Sequence, residues 1–217
     1  MSVQSDLGAP PRPASGLASR AWLIVMTLLS LGVGLYGLSY LSGHPGPPNI
    51  KQNHAGMGWV VVHATGAGLA LLLGPWQFIA AIRAERPALH RLIGRSYLTV
   101  CLVGGISGLI LAFGTVMGPI AQTGFGALAL AWLSVNAMGY AAALRRDFVS
   151  HRRWMIRSFA LTLAAVTLRL YLPATLMSNV PVMIGYPIIA WACWVPNLVI
   201  AEAWLRLRPA PPILGRV

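Results

Sequence analysis

The sequence predicts an all-α membrane protein, a bundle of six transmembrane helices with both termini in the cytoplasm. Composition and the length of the apolar segments carry this prediction. Of the 217 residues, 57% are hydrophobic and only 9% are charged, whereas a soluble domain has about 25% charged residues. Such a chain has too few charges to cover a surface that faces water, so we expect most of its outside to face lipid.

Six apolar segments are long enough to cross the roughly 30 Å of hydrocarbon in a bilayer. They are residues 21–41, 57–82, 92–114, 123–144, 156–177 and 185–205. The first is too long for the core of a cleaved signal peptide, so we interpret it as a retained span. We expect residues 1–20 to be a disordered tail, 21–208 the transmembrane domain and 209–217 a second tail. Proline should kink the helices at Pro75, Pro173 and Pro196.

The basic residues indicate the orientation. All of them except Lys51 and Arg169 fall in the termini or around the connections after the second and fourth segments. This asymmetry predicts that those connections and both termini are cytoplasmic, in the inner membrane of a bacterium. Although the net charge is +12, its clusters lie between apolar runs, so we expect contacts with anionic lipid headgroups and no nucleic-acid binding.

Two ionisable residues lie well inside predicted spans, away from the basic ends, His63 in the second and Arg169 in the fifth. At 1.5 Å per residue, both should lie roughly 10 Å below the outer face, so they could share one pocket. Such a pocket could bind a quinone head group, a haem propionate or another anion, with His63 as ligand or proton carrier. Alternatively, Arg169 extends to the outer interface and His63 bonds to a carbonyl of a neighbouring helix.

Two similar elements enter the third and fifth segments, residues 90–97 and 151–159. Each contains His-Arg, a short apolar stretch and then Arg-Ser followed by an aromatic residue. If they are repeats, His90 and His151 have equivalent positions at the cytoplasmic rim. The two imidazoles could ligate one haem b, and the flanking arginines could pair with its propionates. The alternative is that these residues contact lipid headgroups or shape the loops.

Other polar and aromatic residues have structural interpretations. We expect Glu202 to pair with loop arginines, and Gly104-x-x-x-Gly108 to allow close helix packing. Cys101 and Cys193 are not in a ligand-spaced motif, so we expect neither a disulfide nor a metal site. Aromatic residues near the span ends, Tyr40 and Tyr186 among them, should lie at the membrane interface. The sequence has none of the common hydrolase or nucleotide-binding motifs.

Several segments carry a resemblance to a known family. They read LHRLIGRSY (89–97), HRRWMIRS (151–158), LRLYLP (168–173) and WVPN (194–197), with AE at 201–202. From about His63 to Glu202 the chain resembles the predicted bacterial membrane proteins catalogued as domain of unknown function 2306. The resemblance implies a multi-span inner-membrane protein without a settled activity.

The stretch LHRLIG (89–94) also resembles di-haem b-type transmembrane cytochromes, which have a Leu-His-x-x-Gly-like element at a helix start. That family needs two histidine pairs on four consecutive helices, and the fourth segment here contains no histidine. The resemblance therefore implies at most one haem, held by His90 and His151.

Two hypotheses for the function follow. The first is a non-enzymatic membrane protein: a scaffold, an accessory subunit of a protein partner, or a small-solute carrier. The second is an electron-transfer protein that binds one haem through His90 and His151, or a quinone at His63 and Arg169.

Overall fold

The structure is a computed structural model that describes residues 17–43, 46 and 48–207. Within these ranges all regular elements are helical. The α-helices are α1 Leu17–Leu38, α2 Pro48–Lys51, α3 Met57–Leu73, α4 Ala80–Glu85, α5 Pro87–Gly114, α6 Gly118–Leu144, α7 Phe148–Thr162, α8 Ala164–Met177, α9 Val182–Ala192 and α10 Val195–Leu207, and short 3-10 segments cover Ser39–Ser42 and Pro75–Phe78.

The described part of the chain contains six helical segments that are long and apolar enough to span a membrane. They are Ala21–Ser42, Met57–Phe78, Pro87–Gly114, Gly118–Leu144, Phe148–Met177 and Val182–Leu207. The prediction of an all-α, six-span protein is therefore confirmed. Of the two predicted tails, residues 1–16 and 209–217 lie outside the described residues, while residues 17–20 belong to α1.

The helices are longer than the apolar segments suggest. Helix α5 begins at Pro87 rather than residue 92, and α7 begins at Phe148 rather than residue 156. The prediction counted apolar residues, but a helix continues through the arginines that lie at its end. Pro87 is compatible with a helix start because its missing N–H would have no intrahelical partner there.

Four of the spans are interrupted; the first changes to a 3-10 segment at Ser39–Ser42. A proline lies at two of the other three breaks. Pro75 converts the end of the second span into a 3-10 segment, and Pro196 follows the break between α9 and α10. Pro173 lies inside α8 without ending it, and a kink at this position stays a prediction. The break at Leu163 has no proline, but the Thr162 hydroxyl donates to the Ser158 carbonyl (2.9 Å), a side-chain bond of the kind that bends helices.

Glycines bring α3 into close contact with two neighbouring helices. A Cβ added to Gly37 of α1 would lie 2.7 Å from the Ala64 carbonyl oxygen of α3. On the other side of α3, a Cβ added to Gly66 would lie 3.0 Å from the backbone nitrogen of Gly104 in α5. Because only glycine permits these distances, α3 packs between α1 and α5.

A buried polar network connects α5, α6 and α7. The Tyr97 hydroxyl lies 2.8 Å from the hydroxyls of both Ser158 and Thr162. Ser158 donates to the Asn136 side-chain oxygen (2.9 Å), and the Trp132 indole N–H donates to Thr162 (3.0 Å). These side chains satisfy one another in the centre of the bundle, where water is excluded.

One end of the bundle carries most of the charge and is called the Arg-rich end below. It contains the connection from α3 to α5, the connection from α6 to α7, and the end of α10. There Arg157 forms an ion pair with Glu202, with a second bond from Nη2 to Oε2 of 3.0 Å. The predicted pairing of Glu202 with an arginine is confirmed, whereas the assignment of this end to the cytoplasm stays a prediction.

Replacing Tyr97 by Phe should destabilise the bundle. The substitution removes one hydroxyl and leaves those of Ser158 and Thr162 without this partner, which costs about 1–2 kcal/mol. Denaturant unfolding of the protein in micelles measures the change. Tyr140→Phe is the matched control because Tyr140 is 50% exposed, and equal losses in both variants would contradict this role.

The close contact between α1 and α3 can be tested with two alanine variants of one helix. Gly37→Ala should cost about 1–3 kcal/mol, since the new methyl group forces the helices apart. Gly32→Ala should change the free energy of unfolding by less than about 0.5 kcal/mol, because an added Cβ there has no atom within 4 Å. Similar unfolding curves for the two variants would show that this contact is not tight.

Candidate functional site

A cavity of about 210 Å³ lies inside the helix bundle. Its wall includes residues of α1, α3, α5, α6, α8 and α9 and is mostly aliphatic, aromatic and glycine residues. The polar side chains on this wall include those of His63, Arg169, Tyr40, Tyr186 and Asn53. The structure therefore brings His63 and Arg169 to one cavity.

His63 is fixed in orientation by a neighbouring helix. Its Nδ1 lies 2.8 Å from the carbonyl oxygen of Gly104 in α5. A carbonyl only accepts hydrogen bonds, so Nδ1 carries the proton and, in the neutral ring, Nε2 has a free lone pair. Gly108 makes room for the ring, because a Cβ there would lie 3.0 Å from it. The Gly104-x-x-x-Gly108 motif thus packs against α3 and also positions an imidazole.

Arg169 points into the bundle. Its Nη1 donates to the carbonyl of Ala165 (3.0 Å), one turn earlier in α8, and the guanidinium carbon lies 5.0 Å from the centre of the Tyr36 ring. Because α8 runs away from the Arg-rich end, Ala165 is deeper in the bundle than Arg169. The side chain therefore turns away from the outer end, so the part of the alternative in which Arg169 extends to the outer interface is wrong. The other part, in which His63 bonds to a carbonyl of a neighbouring helix, is confirmed by its bond to Gly104.

The positive charge of Arg169 has no described carboxylate beside it. The acidic residues of the described chain, Glu85, Asp147 and Glu202, all lie at the Arg-rich end. Its electrostatic neighbours include the phenol groups of Tyr36, Tyr40 and Tyr186. Its Nε is buried without a hydrogen-bond partner among the described residues. A buried cation in such surroundings is costly unless a further group pairs with it.

Two tyrosines predicted at the membrane interface face the interior of the bundle. Tyr40 and Tyr186 lie near span ends, which predicted the membrane interface, but they are only 6% and 7% exposed and line the cavity. Position along the chain gives the depth of a side chain, whereas the neighbouring helices determine whether it faces lipid or the interior. No signal in the sequence distinguishes these two tyrosines from the exposed Trp22 or Trp76.

Asn53 is a cavity residue that the sequence did not suggest. It lies between α2 and α3, and its side-chain nitrogen donates to the Leu111 carbonyl (2.9 Å). The next residue, His54, donates its backbone N–H to the Gly114 carbonyl (2.8 Å). These bonds attach the connection to the end of α5, so residues 53–55 cover the cavity at the end opposite the Arg-rich end. The only hint in the sequence is an asparagine between a Pro-Gly-rich loop and a span.

His90 and His151 lie in a separate region. Each is in the first turns of its helix, α5 or α7, at the Arg-rich end. His90 is fourteen residues from Gly104, which is about 21 Å along α5. The Nδ1 of His151 lies 2.8 Å from the Gly139 carbonyl oxygen, and the Nδ1 of His90 is buried without a partner. The structure does not join this pair to His63 and Arg169.

The two histidines are nevertheless on facing sides of α5 and α7. Tyr97 and Ser158, which contact each other, are each seven residues beyond the histidine of their own helix, or two turns along the same face. Among the described residues, no group of three or more His, Cys, Asp or Glu could hold a metal ion. Ligation of a haem b by His90 and His151 stays a prediction.

The fold and the cavity define a multi-pass α-helical membrane protein with a polar site inside its bundle. The chain belongs to the predicted membrane protein family DUF2306, whose sequence profile matches residues 60–205. The resemblance to this family is confirmed, and the family match does not extend to the b-type cytochromes. The comparisons with curated proteins and with solved structures gave no match.

Proposed function

We propose that this protein binds a small molecule with an anionic or carbonyl-bearing head group at Arg169 and serves as a membrane carrier or binding protein for it. The single observation that carries the proposal is the buried Nε of Arg169, which has no partner in the described chain. A guanidinium in a low-dielectric site forms strong bonds with oxygen acceptors. A ligand oxygen would therefore supply the missing partner.

Two polar side chains of the cavity wall, Arg169 and His63, favour a head group that both accepts and donates hydrogen bonds. Arg169 offers donors, while the neutral form of His63 offers the lone pair of Nε2. The two side chains lie near enough for the charge of Arg169 to act on the imidazole. A protonated carboxylic acid meets both requirements, as does the hydroquinone form of a quinone, whose hydroxyl can accept from Arg169 or donate to Nε2.

The volume limits the size of the ligand. Pockets for drug-sized molecules measure about 300–1,000 Å³, whereas this cavity is about 210 Å³. It suits a small solute or the head group of a longer molecule, and it is too small for a whole haem. We include in the proposal a bacterial inner-membrane location with the Arg-rich end in the cytoplasm, which the distribution of basic residues supports.

The proposal predicts that a ligand purifies with the protein and depends on Arg169. Protein purified in mild detergent is extracted with organic solvent, and the small molecules are quantified by mass spectrometry. Arg169→Gln and His63→Leu should each lower the content of one anionic or carbonyl compound about tenfold or more, since a bond to a charged group contributes about 1.5–3 kcal/mol.

Arg145→Gln is the matched control, because it removes the same charge from an exposed position at the Arg-rich end. It should retain the wild-type ligand content. Equal content of every extracted compound in wild type, Arg169→Gln and Arg145→Gln, with all three folded, would contradict the proposal.

A further inference from the structure

Basic side chains from three helices converge at the Arg-rich end. Arg83 of α4, Arg91 of α5 and His151 of α7 all lie near enough to His90 to act on it electrostatically. Arg83 also acts on Arg152 of α7 in the same way. We call Arg83, His90, Arg91, His151 and Arg152 the basic cluster. Its members come from two stretches of the sequence, residues 83–91 and 151–152, and the fold brings these stretches together.

The described acidic residues do not neutralise this cluster. Glu202 is held by two bonds from Arg157, and the Asp147 carboxylate caps the start of α7 by accepting from the Ser150 N–H (3.0 Å). Hydrogen bonds from the side chain and the backbone of Ser150 lower the pKa of Asp147, so this carboxylate is already used to cap its own helix. Glu85 is exposed, and the described part of the chain gives it no ion pair.

Two features make the cluster more than a diffuse basic surface. The guanidinium carbon of Arg152 lies 5.3 Å from the centre of the Trp204 ring of α10, a cation–π contact that restrains its position. The Nδ1 of His90 is buried and has no hydrogen-bond partner, although the matching atom of His151 bonds to Gly139. Buried polar atoms almost always have a partner, so a group that the described residues do not supply is expected at His90.

We propose that the basic cluster is a binding site for a phosphate group. The planar guanidinium group of arginine can donate two parallel hydrogen bonds to the oxygens of a phosphate, and the imidazole of His90 can donate to a further oxygen. A metal ion is disfavoured, because several positive guanidinium groups would repel it. The phosphate could belong to a phospholipid headgroup at the membrane surface or to free phosphate in solution. This site is independent of the Arg169 cavity.

The test measures binding of phosphatidic acid to the full-length protein in detergent by native mass spectrometry. Diacylglycerol with the same acyl chains is the control lipid, since it lacks only the phosphate. Wild-type protein should bind phosphatidic acid at least tenfold more tightly than diacylglycerol. A triple variant with Arg83→Gln, Arg91→Gln and Arg152→Gln should lose this difference.

Two further triple variants separate a built site from general positive charge. Arg86→Gln with Arg145→Gln and Arg146→Gln removes three charges from residues that are exposed, as Arg83, Arg91 and Arg152 are, but lie outside the cluster, and it should keep binding within about twofold of wild type. A variant with Arg83→Lys, Arg91→Lys and Arg152→Lys keeps the charge but lacks the planar, forked set of guanidinium donors, so binding of phosphatidic acid should weaken at least fivefold. The proposal is overturned if the outside variant binds as poorly as the cluster variant, or if the lysine variant binds like wild type.

Inorganic phosphate distinguishes the two sources of the ligand. If it displaces phosphatidic acid and raises the melting temperature above that in sodium chloride of equal ionic strength, the site accepts free phosphate. If only phosphatidic acid binds, the site is specific for a lipid headgroup. The proposal is contradicted if the folded wild-type protein binds phosphatidic acid no more tightly than diacylglycerol and inorganic phosphate stabilises it no more than sodium chloride does.

Discussion

Hydrocarbon strongly disfavours an unpaired charge, and the arrangement of this protein follows from that constraint. Among the described residues, the acidic ones and almost all the arginines lie at one end of the bundle, where Arg157 and Glu202 pair. Polar side chains in the interior bond to one another, as Tyr97 does with Ser158 and Thr162. Arg169 departs from this rule, because it lies about 12 Å from the end of α8 and faces an internal cavity.

Helix packing and the chemistry of the site are linked through α3 and α5. The close approach of Gly66 to Gly104 brings the carbonyl of Gly104 within 2.8 Å of His63 Nδ1. Gly108, one turn further along α5, leaves space for the ring. The same small residues that allow two helices to touch therefore set the tautomer and direction of the imidazole. This coupling explains how a bundle without a catalytic motif can still hold a well-oriented polar site.

The sequence predicts the fold well and the site in part. Apolar length identifies the spans, and the rise per residue places His63 and Arg169 at similar depth, so that a common cavity could be anticipated. Depth does not determine the direction in which a side chain points around its helix. For this reason the sequence predicts Tyr40 and Tyr186 at the membrane interface, whereas they face the interior. The inward turn of Arg169, the contribution of Asn53 and the break at Leu163 depend on contacts between residues that are distant in sequence or on local hydrogen bonds.

The central claim is that a bound molecule partners Arg169 inside the bundle. An experimental structure of the protein, purified from its own membrane in mild detergent, tests it most directly. We expect density for a small molecule or a head group in the cavity, within hydrogen-bond distance of the Arg169 guanidinium and facing the imidazole of His63. A well-resolved structure in which Arg169 turns to the membrane surface, or pairs with a residue of the chain while the cavity is filled by side chains, would contradict the account.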